Sequence, residues 1–216
     1  MREHRPTGDT RRQRPVRQPQ PDPGGTRPAP CTHGRGAGVT IGVRRVRAGE
    51  GARVCELRLR AVSDPVASIA FLTTREQELE REPAFWDERA AGGASGGSTA
   101  MFVAEDGDTW VGSVTVLVRR AGEIDHTGRR LPHGRADVVG VYVAPEARGS
   151  GAIDALLDAA ARWTAEQGFE TLSLDVHVDN HRAQAVYRRA GFVATGETFT
   201  GPIGAELAMG RSLRRL

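Results

Sequence analysis

The sequence predicts an α/β fold: a mixed, mostly antiparallel β-sheet flanked by helices, in the order β-α-α-β-β-β-α-β-α-β-β. Three observations predict it. Short runs alternate apolar and polar residues, as where Leu172, Leu174, Val176 and Val178 take every second place. Longer segments carry apolar residues at helical spacing, as do Ile153, Leu156, Leu157, Ala160 and Thr164. Between the two kinds lie Gly-, Pro- and Asp-bearing turns.

Taken in order, Thr40 to Arg47 alternates Ile41 and Val43 among Gly and Arg and reads as the first strand. Glu50 to Val62 is a helix with Val54, Leu57 and Ala61 on one stripe. Ser63-Asp64-Pro65 ends it and opens a second helical stretch, since proline is tolerated in a first turn. Val66 to Ala90 is expected to be mostly helical, broken near Pro83, with Gly92 to Ser98 a loop. Thr99 to Glu105 and Thr109 to Val118 form a hairpin about Asp106-Gly107-Asp108. A polar loop over Arg119 to Gly134 leads to a fourth strand, Arg135 to Val143. Gly149 to Gln167 is a helix closed by Gly168, and Thr171 to Val178 a strand. Asp179 and Asn180 are natural caps for a short helix to Ala190. Gly191-Phe192 restarts a strand through Glu197, and a turn over Thr198 to Gly204 returns it as Ala205 to Met209.

Two parts are expected: a tail over 1–38 and a folded domain over 39–216. The tail is rich in Arg, Pro, Gly and Gln and has almost no large apolar residue, so it cannot offset its ordering entropy and is expected to be disordered. Eight arginines against Glu3, Asp9 and Asp22 give it a charge of +5; with the whole chain at +3, the remainder carries −2. Every basic residue other than histidine is arginine. The basic pI of 9.5 thus belongs to the tail, and a nucleic-acid partner is not expected of the folded body. The tail reads as a solvated extension more readily than as an arm for RNA or acidic partners. Cys31 and Cys55 cannot make a disulfide framework, which suits a reducing, cytoplasmic location. No apolar run approaches a membrane span, so no membrane partner is expected, and no apolar segment follows Arg11-Arg12 to make an export signal. His126 and His133 lack Cys or a His/Glu pairing nearby, so no metal site is expected.

The stretch Val139 to Gly151 carries the chemistry. An apolar run is stopped by Pro145, and a glycine-bearing turn opens a helix. The first N–H groups of a helix have no internal partner, the dipole adds partial positive charge there, and glycine admits a phosphate close to the backbone. Physics alone points to a phosphate-bearing ligand of nucleotide type. Turn geometry by itself would also account for Gly149 and Gly151.

Downstream, Asn180, Ala183, Tyr187, Gly191 and Phe192 make Asn-x-x-Ala-x-x-x-Tyr-x-x-x-Gly-Phe. With this second motif the chain, from about Thr40 to Met209, resembles the GNAT superfamily of acetyl-CoA-dependent N-acetyltransferases, of bacterial type. Arg148 and Gly151 match that family's Arg/Gln-x-x-Gly-x-Gly/Ala motif, while Ile153 stands where Gly or Ala is usual. The resemblance implies a GNAT-like fold in the order given above, acetyl-CoA as acyl donor, and a primary amine of a small molecule or peptide as acceptor. It implies that the amides of Arg148, Gly149, Ser150, Gly151, Ala152 and Ile153 hold the pyrophosphate. Val141 and Val143 would pair through main-chain groups with the pantetheine arm, in a gap between their strand and that of Leu174. Asn180 would hydrogen-bond the same arm, and Tyr187 would protonate the departing thiolate. Periodicity alone would put Tyr187 in the core, on the stripe of Ala183, Val186 and Ala190. For the base, Asp137 and Glu105 are candidates, and a solvated acid at a strand edge accounts for either equally well. Glu76 to Glu82 could attract a cationic amine, although such a run is more often a solvated face. Phe85 and Trp86 read as core residues that could also line an acceptor pocket. A non-catalytic acyl-CoA sensor and a protein N-terminal acetyltransferase remain open as alternatives. The resemblance leaves a homodimer open.

Overall fold

The computed structural model describes residues 41–214. The tail over 1–38, expected to be disordered, lies outside the described residues. The strands are β1 (Ile41–Arg45), β2 (Thr99–Asp106), β3 (Thr109–Arg119), β4 (Arg135–Val143), β5 (Thr171–His177), β6 (Val193–Gly201) and β7 (Gly204–Ser212). The helices are α1 (Gly51–Val62), α2 (Arg75–Leu79), α3 (Pro83–Ser95), α4 (Ala152–Glu166) and α5 (His181–Arg189). One sheet runs in the order β1-β2-β3-β4-β5-β7-β6, and only the β4/β5 contact is parallel.

Alternation along the strands decides the layers. Phe102, Val114, Val138, Leu172 and Leu174 face one way and pack with Leu156, Leu157 and Trp163 of α4. Met101, Val103 and Tyr142 face the other way and meet Val54 and Leu57 of α1 and Trp86 of α3. Burial of a side chain such as Leu57, 3% exposed, contributes about 1.5–3 kcal/mol, so the two clusters anchor the helices on opposite faces.

Three expectations are corrected. Ser63-Asp64-Pro65 opens only a 3₁₀ turn, Ala67–Ile69, rather than a helix; Val66 to Ala90 is otherwise mostly helical as expected, in the short α2 and the first half of α3. Thr74 and Gln77 fix the start of α2 by a reciprocal capping box. The break near Pro83 falls where expected: α2 ends at Leu79 and Pro83 opens α3, since a first-turn proline loses no hydrogen bond. Second, α3 continues through Gly92 and Gly93 instead of yielding to a loop. A Cβ at Gly93 would lie 2.8 Å from the Met101 Cβ, so close packing on β2 outweighs the low helix propensity of glycine. Third, β6 and β7 extend to Gly201 and Gly204, leaving Pro202-Ile203 as the turn.

The feature that positions the site is a split in the sheet. β4 and β5 pair only at Asp137↔Ser173. Against β3, Ser113 pairs with Tyr142 and Thr115 with Val139, so Gly140 and Val141 together oppose Val114. Gly140 has φ +61°, the left-handed geometry that a bulge of this kind takes at low cost. The bulge bends β4 just past its one pairing with β5, and the strands part.

Candidate active site

A cavity of about 690 Å³ occupies the split. β4 lines it from Val138 to Val143, and Asp175 to His177 of β5 line the other side. Gly149 and Ile153 form one end, and Asn180 and Tyr187 of α5 close a wall.

The end at α4 is built from a 3₁₀ turn, Pro145–Ala147, followed by two left-handed glycines: Gly149 at φ +84° and Gly151, the N-cap, at φ +86°. Nothing lies within 4 Å of where a Cβ would stand on either. Among the described residues, the N–H groups of Gly149, Gly151 and Ile153 have no acceptor, and the Ala152 N–H has only a long contact, 3.4 Å, to the Ser150 hydroxyl. The Arg148 and Ser150 N–H groups already turn back to Pro145 and Ala147 carbonyls at 3.3 Å. The Arg148 side chain is committed as well. It forms an ion pair with Asp64 at the end of α1 and donates from Nε to the Val143 carbonyl at 3.1 Å. Its charge is therefore offset by a carboxylate, and the loop is tied to both a strand and a helix. Asp64 lies 84 residues away in sequence, and no local pattern reveals that pairing.

On the α5 wall, Asn180 caps its helix by accepting from the Ala183 N–H at 3.1 Å, which leaves its amide NH₂ without an acceptor among the described residues. Tyr187 stands two turns on, 9% exposed, its ring edge-on to Phe192 at 6.0 Å. Its hydroxyl makes no hydrogen bond among the described residues, and burial pushes the phenol's pKa up, so it holds its proton at neutral pH. Core packing and cavity lining thus coincide in one residue.

The base candidates fall elsewhere. Glu105 accepts from Trp110 Nε1 at 2.9 Å and pairs with Arg44 at 2.7 Å, away from the cavity. Asp137 is 1% exposed, with Arg135 Nε at 2.5 Å from its Oδ1, and it is not on the cavity lining. A group in that place cannot touch an amine in the cavity. Burial, opposed by Arg135 and reinforced by Asp175, raises its carboxyl from 3.8 to about 6. Protonation of Asp137 therefore favours folding: this contribution is complete below pH 3.8 and is lost as pH rises through about 6. The neutral variant Asp137→Asn escapes that loss. Its stability relative to wild type should rise by about 1–3 kcal/mol between about pH 4.5 and about pH 7.5 in urea unfolding. A difference that stays flat across this range would refute the assignment.

Other residues of the site escape sequence reasoning. In β5 the positions between Leu172, Leu174 and Val176 are Ser173, Asp175 and His177, so one face of that strand is polar. Pairing with β7 sets Glu206 opposite His177. Residues 120–134 fold over this face, held by Asp125, which accepts from the Thr127 and Arg129 N–H groups, each at 2.9 Å. Burial opposes ionisation of Asp125, yet these bonds hold it at about 2. From the helical side, Glu78 is buried with Arg58 at 2.7 Å, whereas Glu76, Glu80 and Glu82 are exposed. Phe85 lines the cavity and Trp86 lies in the core. Among the described residues, no cluster of three His, Cys, Asp or Glu side chains is placed to hold a metal ion, and no helix is long and apolar enough to cross a membrane.

The model of the acetyltransferase (GNAT) family matches residues 65–192. An aminoglycoside N(6')-acetyltransferase type 1 of Stenotrophomonas maltophilia is 33% identical over 99 residues, which is 46% of this chain and 61% of the relative. The match thus spans about three-fifths of that relative's length. Among solved structures, the PaiA N-acetyltransferase of Thermoplasma acidophilum in complex with coenzyme A aligns at a TM-score of 0.62 and 15% identity, over 80% of this chain and 99% of that one. Spermidine N-acetyltransferase of Vibrio cholerae, in complex with CoA and spermine, aligns at 0.57 and 19% identity, over 80% and 95%. At these identities the two structures bear on the fold, and they share it with this chain.

Proposed function

The chain belongs to the acetyltransferase (GNAT) family, and we propose that it moves an acetyl group from acetyl-CoA to a primary amine of a small molecule or peptide. One observation carries this reading: a split sheet with uncommitted amides at one end and an unpartnered phenol on its wall. The free N–H groups of Gly149, Gly151 and Ile153 suit a pyrophosphate at the mouth of α4. Ser150 and Ala152 shape that turn, and Arg148 braces it against Asp64. Val141 and Val143 border the split, where an extended pantetheine arm would take the place of the missing strand pairing. The free amide of Asn180 is available to the same arm.

In this reading a neutral amine attacks the thioester carbonyl, a C–N bond forms and the C–S bond breaks. The Val141 amide meets the developing oxyanion. Tyr187 gives its proton to sulfur as the thiolate departs, and the proton lost by the nitrogen returns to the phenol. A phenol of raised pKa is a weak acid, so its proton moves only as negative charge gathers on sulfur. Asp137 holds Arg135, which also bonds Asp175 on the cavity lining, and exchanges no proton with the amine.

The relative sharing 33% identity is named for an aminoglycoside, so polycationic small molecules are the first acceptors to try. A sensor that binds acyl-CoA without transfer has no use for a phenol in the split, which favours the enzyme. The half-buried free thiol of Cys55 suits a reducing cytoplasm. Thiol release from acetyl-CoA across aminoglycosides, polyamines, amino acids and peptides tests the reading. Amine-dependent release supports it, and coenzyme A binding without transfer to any amine favours the sensor.

The turn provides a narrower test. Gly151→Val places a β-branched residue at φ +86° and a side chain over the free amides. The free turn relaxes away from that geometry, and binding must restore it against about 1–3 kcal/mol of strain, so the Kd for acetyl-CoA should rise by about tenfold or more in calorimetric titration. Unchanged affinity would exclude this turn as the anion site.

A further inference from the structure

Glu206 is the buried acid that nothing above employs. It lines the cavity, is 4% exposed, and makes no side-chain hydrogen bond among the described residues. Its Oε1 is the one buried side-chain polar atom among them without a partner. Buried carboxylates are stable when paired, and an orphan oxygen of this kind costs free energy that a ligand can recover. The backbone makes room for it: a Cβ at Gly201 would lie 1.9 Å from Oε1, and one at Gly204 would lie 2.7 Å from His177 Nε2.

The surrounding charges lack a cation. Arg129, the arginine that most counters Glu206, already bonds Asp125 at 2.9 Å, Asp175 at 2.7 Å and Glu197 at 3.4 Å. Arg135 serves Asp137 and Asp175 at 2.5 and 2.9 Å. Two arginines thus face five carboxylates. The facing His177 makes no hydrogen bond to Glu206, and its Nδ1 accepts from the Asp179 N–H at 3.1 Å. Arg81 and Arg89, by contrast, line the cavity from the α2–α3 side, so a cationic group is repelled there and drawn to the β5/β7 floor.

We propose that Glu206 is the specificity residue for the acceptor: its carboxylate pairs with an ammonium group other than the neutral amine that reacts, selecting aliphatic di- and polyamines over arylamines and alcohols of the same shape. This rests on the acetyltransferase reading of the cavity. A charge-assisted N–H···O bond to a desolvated carboxylate is among the stronger polar contacts, and an uncharged analogue would leave Oε1 unpaired.

The test is calorimetric titration of the coenzyme A-loaded protein with kanamycin, spermine and 1,6-diaminohexane, and with 1,6-hexanediol as uncharged control, in wild type, Glu206→Gln and Glu206→Ala. At least one amine should bind wild type and the diol should not. Both variants should weaken amine binding at least tenfold while coenzyme A affinity stays unchanged, which also certifies that they are folded. Equal amine affinity in wild type and the variants, or a coenzyme-loaded wild type that binds none of the amines, would overturn the role of Glu206 and leave the donor site standing. Failure of wild type to bind coenzyme A would overturn the acetyltransferase reading and the proposal with it.

Discussion

Replacing Tyr187 with phenylalanine is expected to lower kcat by about 10²–10⁴-fold, the usual contribution of a positioned acid, while the Kd for acetyl-CoA stays within about twofold. The substitution removes one oxygen and little else. The ring stays in the core cluster against Phe192, and the lost hydroxyl has no hydrogen-bond partner among the described residues, so no protein group is orphaned. Stability should therefore change little, which separates a chemical effect from a structural one. The loss should shrink with a thioester whose leaving thiol is more acidic, because that thiolate needs less help to depart. A kcat equal to wild type in steady-state assays would remove Tyr187 from the mechanism.

The largest expected stability effect lies in the Arg135–Asp137–Asp175 cluster. Arg135→Ala deprives Asp137 and Asp175 of a shared cation, and their side chains are 1% and 0% exposed. Breaking a buried pair from one side costs about 3–5 kcal/mol, because an uncompensated charge remains. Arg129 still reaches Asp175 at 2.7 Å, so Asp137 carries most of the deficit. Its carboxyl, raised to about 6 in the intact protein, should be raised further without Arg135. The penalty should then be smaller at about pH 5 than at about pH 7.5, and the double variant Arg135→Ala/Asp137→Asn should recover part of it. Denaturant unfolding of the single and double variants at the two pH values checks this. A loss under about 1 kcal/mol at neutral pH would mean that the cluster is solvated rather than buried.

Local signals made much of this molecule readable. The sequence pattern places β4 over the residues it occupies, and α4, α5 and the β2/β3 turn follow spacing and caps that lie within a few residues of one another. The glycine turn before α4 is legible for the same reason: Pro145, Gly149, Gly151 and the following helix are contiguous. Where the reading failed, the deciding partner was distant. α3 keeps its glycines because Gly93 must pass close to Met101 on the next strand. Arg148 is spent on Asp64, which only the fold brings near. Asp137 looked like a cavity residue from its place on β4. The sheet instead buries it between β3 and β5, opposite Leu117 and Ser173, beneath Arg135. Glu206 gave no signal at all, since its meeting with His177 depends on the register of β5 against β7, which no single stretch encodes.

If acetyl-CoA lies in the split between β4 and β5, a crystal structure of the complex with coenzyme A shows it most directly. The diphosphate is expected within hydrogen-bond distance of the Gly149, Gly151 and Ile153 amides, with the arm along Val141 and the sulfur next to the Tyr187 hydroxyl. A coenzyme seated elsewhere, or one whose sulfur lies far from Tyr187, would contradict it.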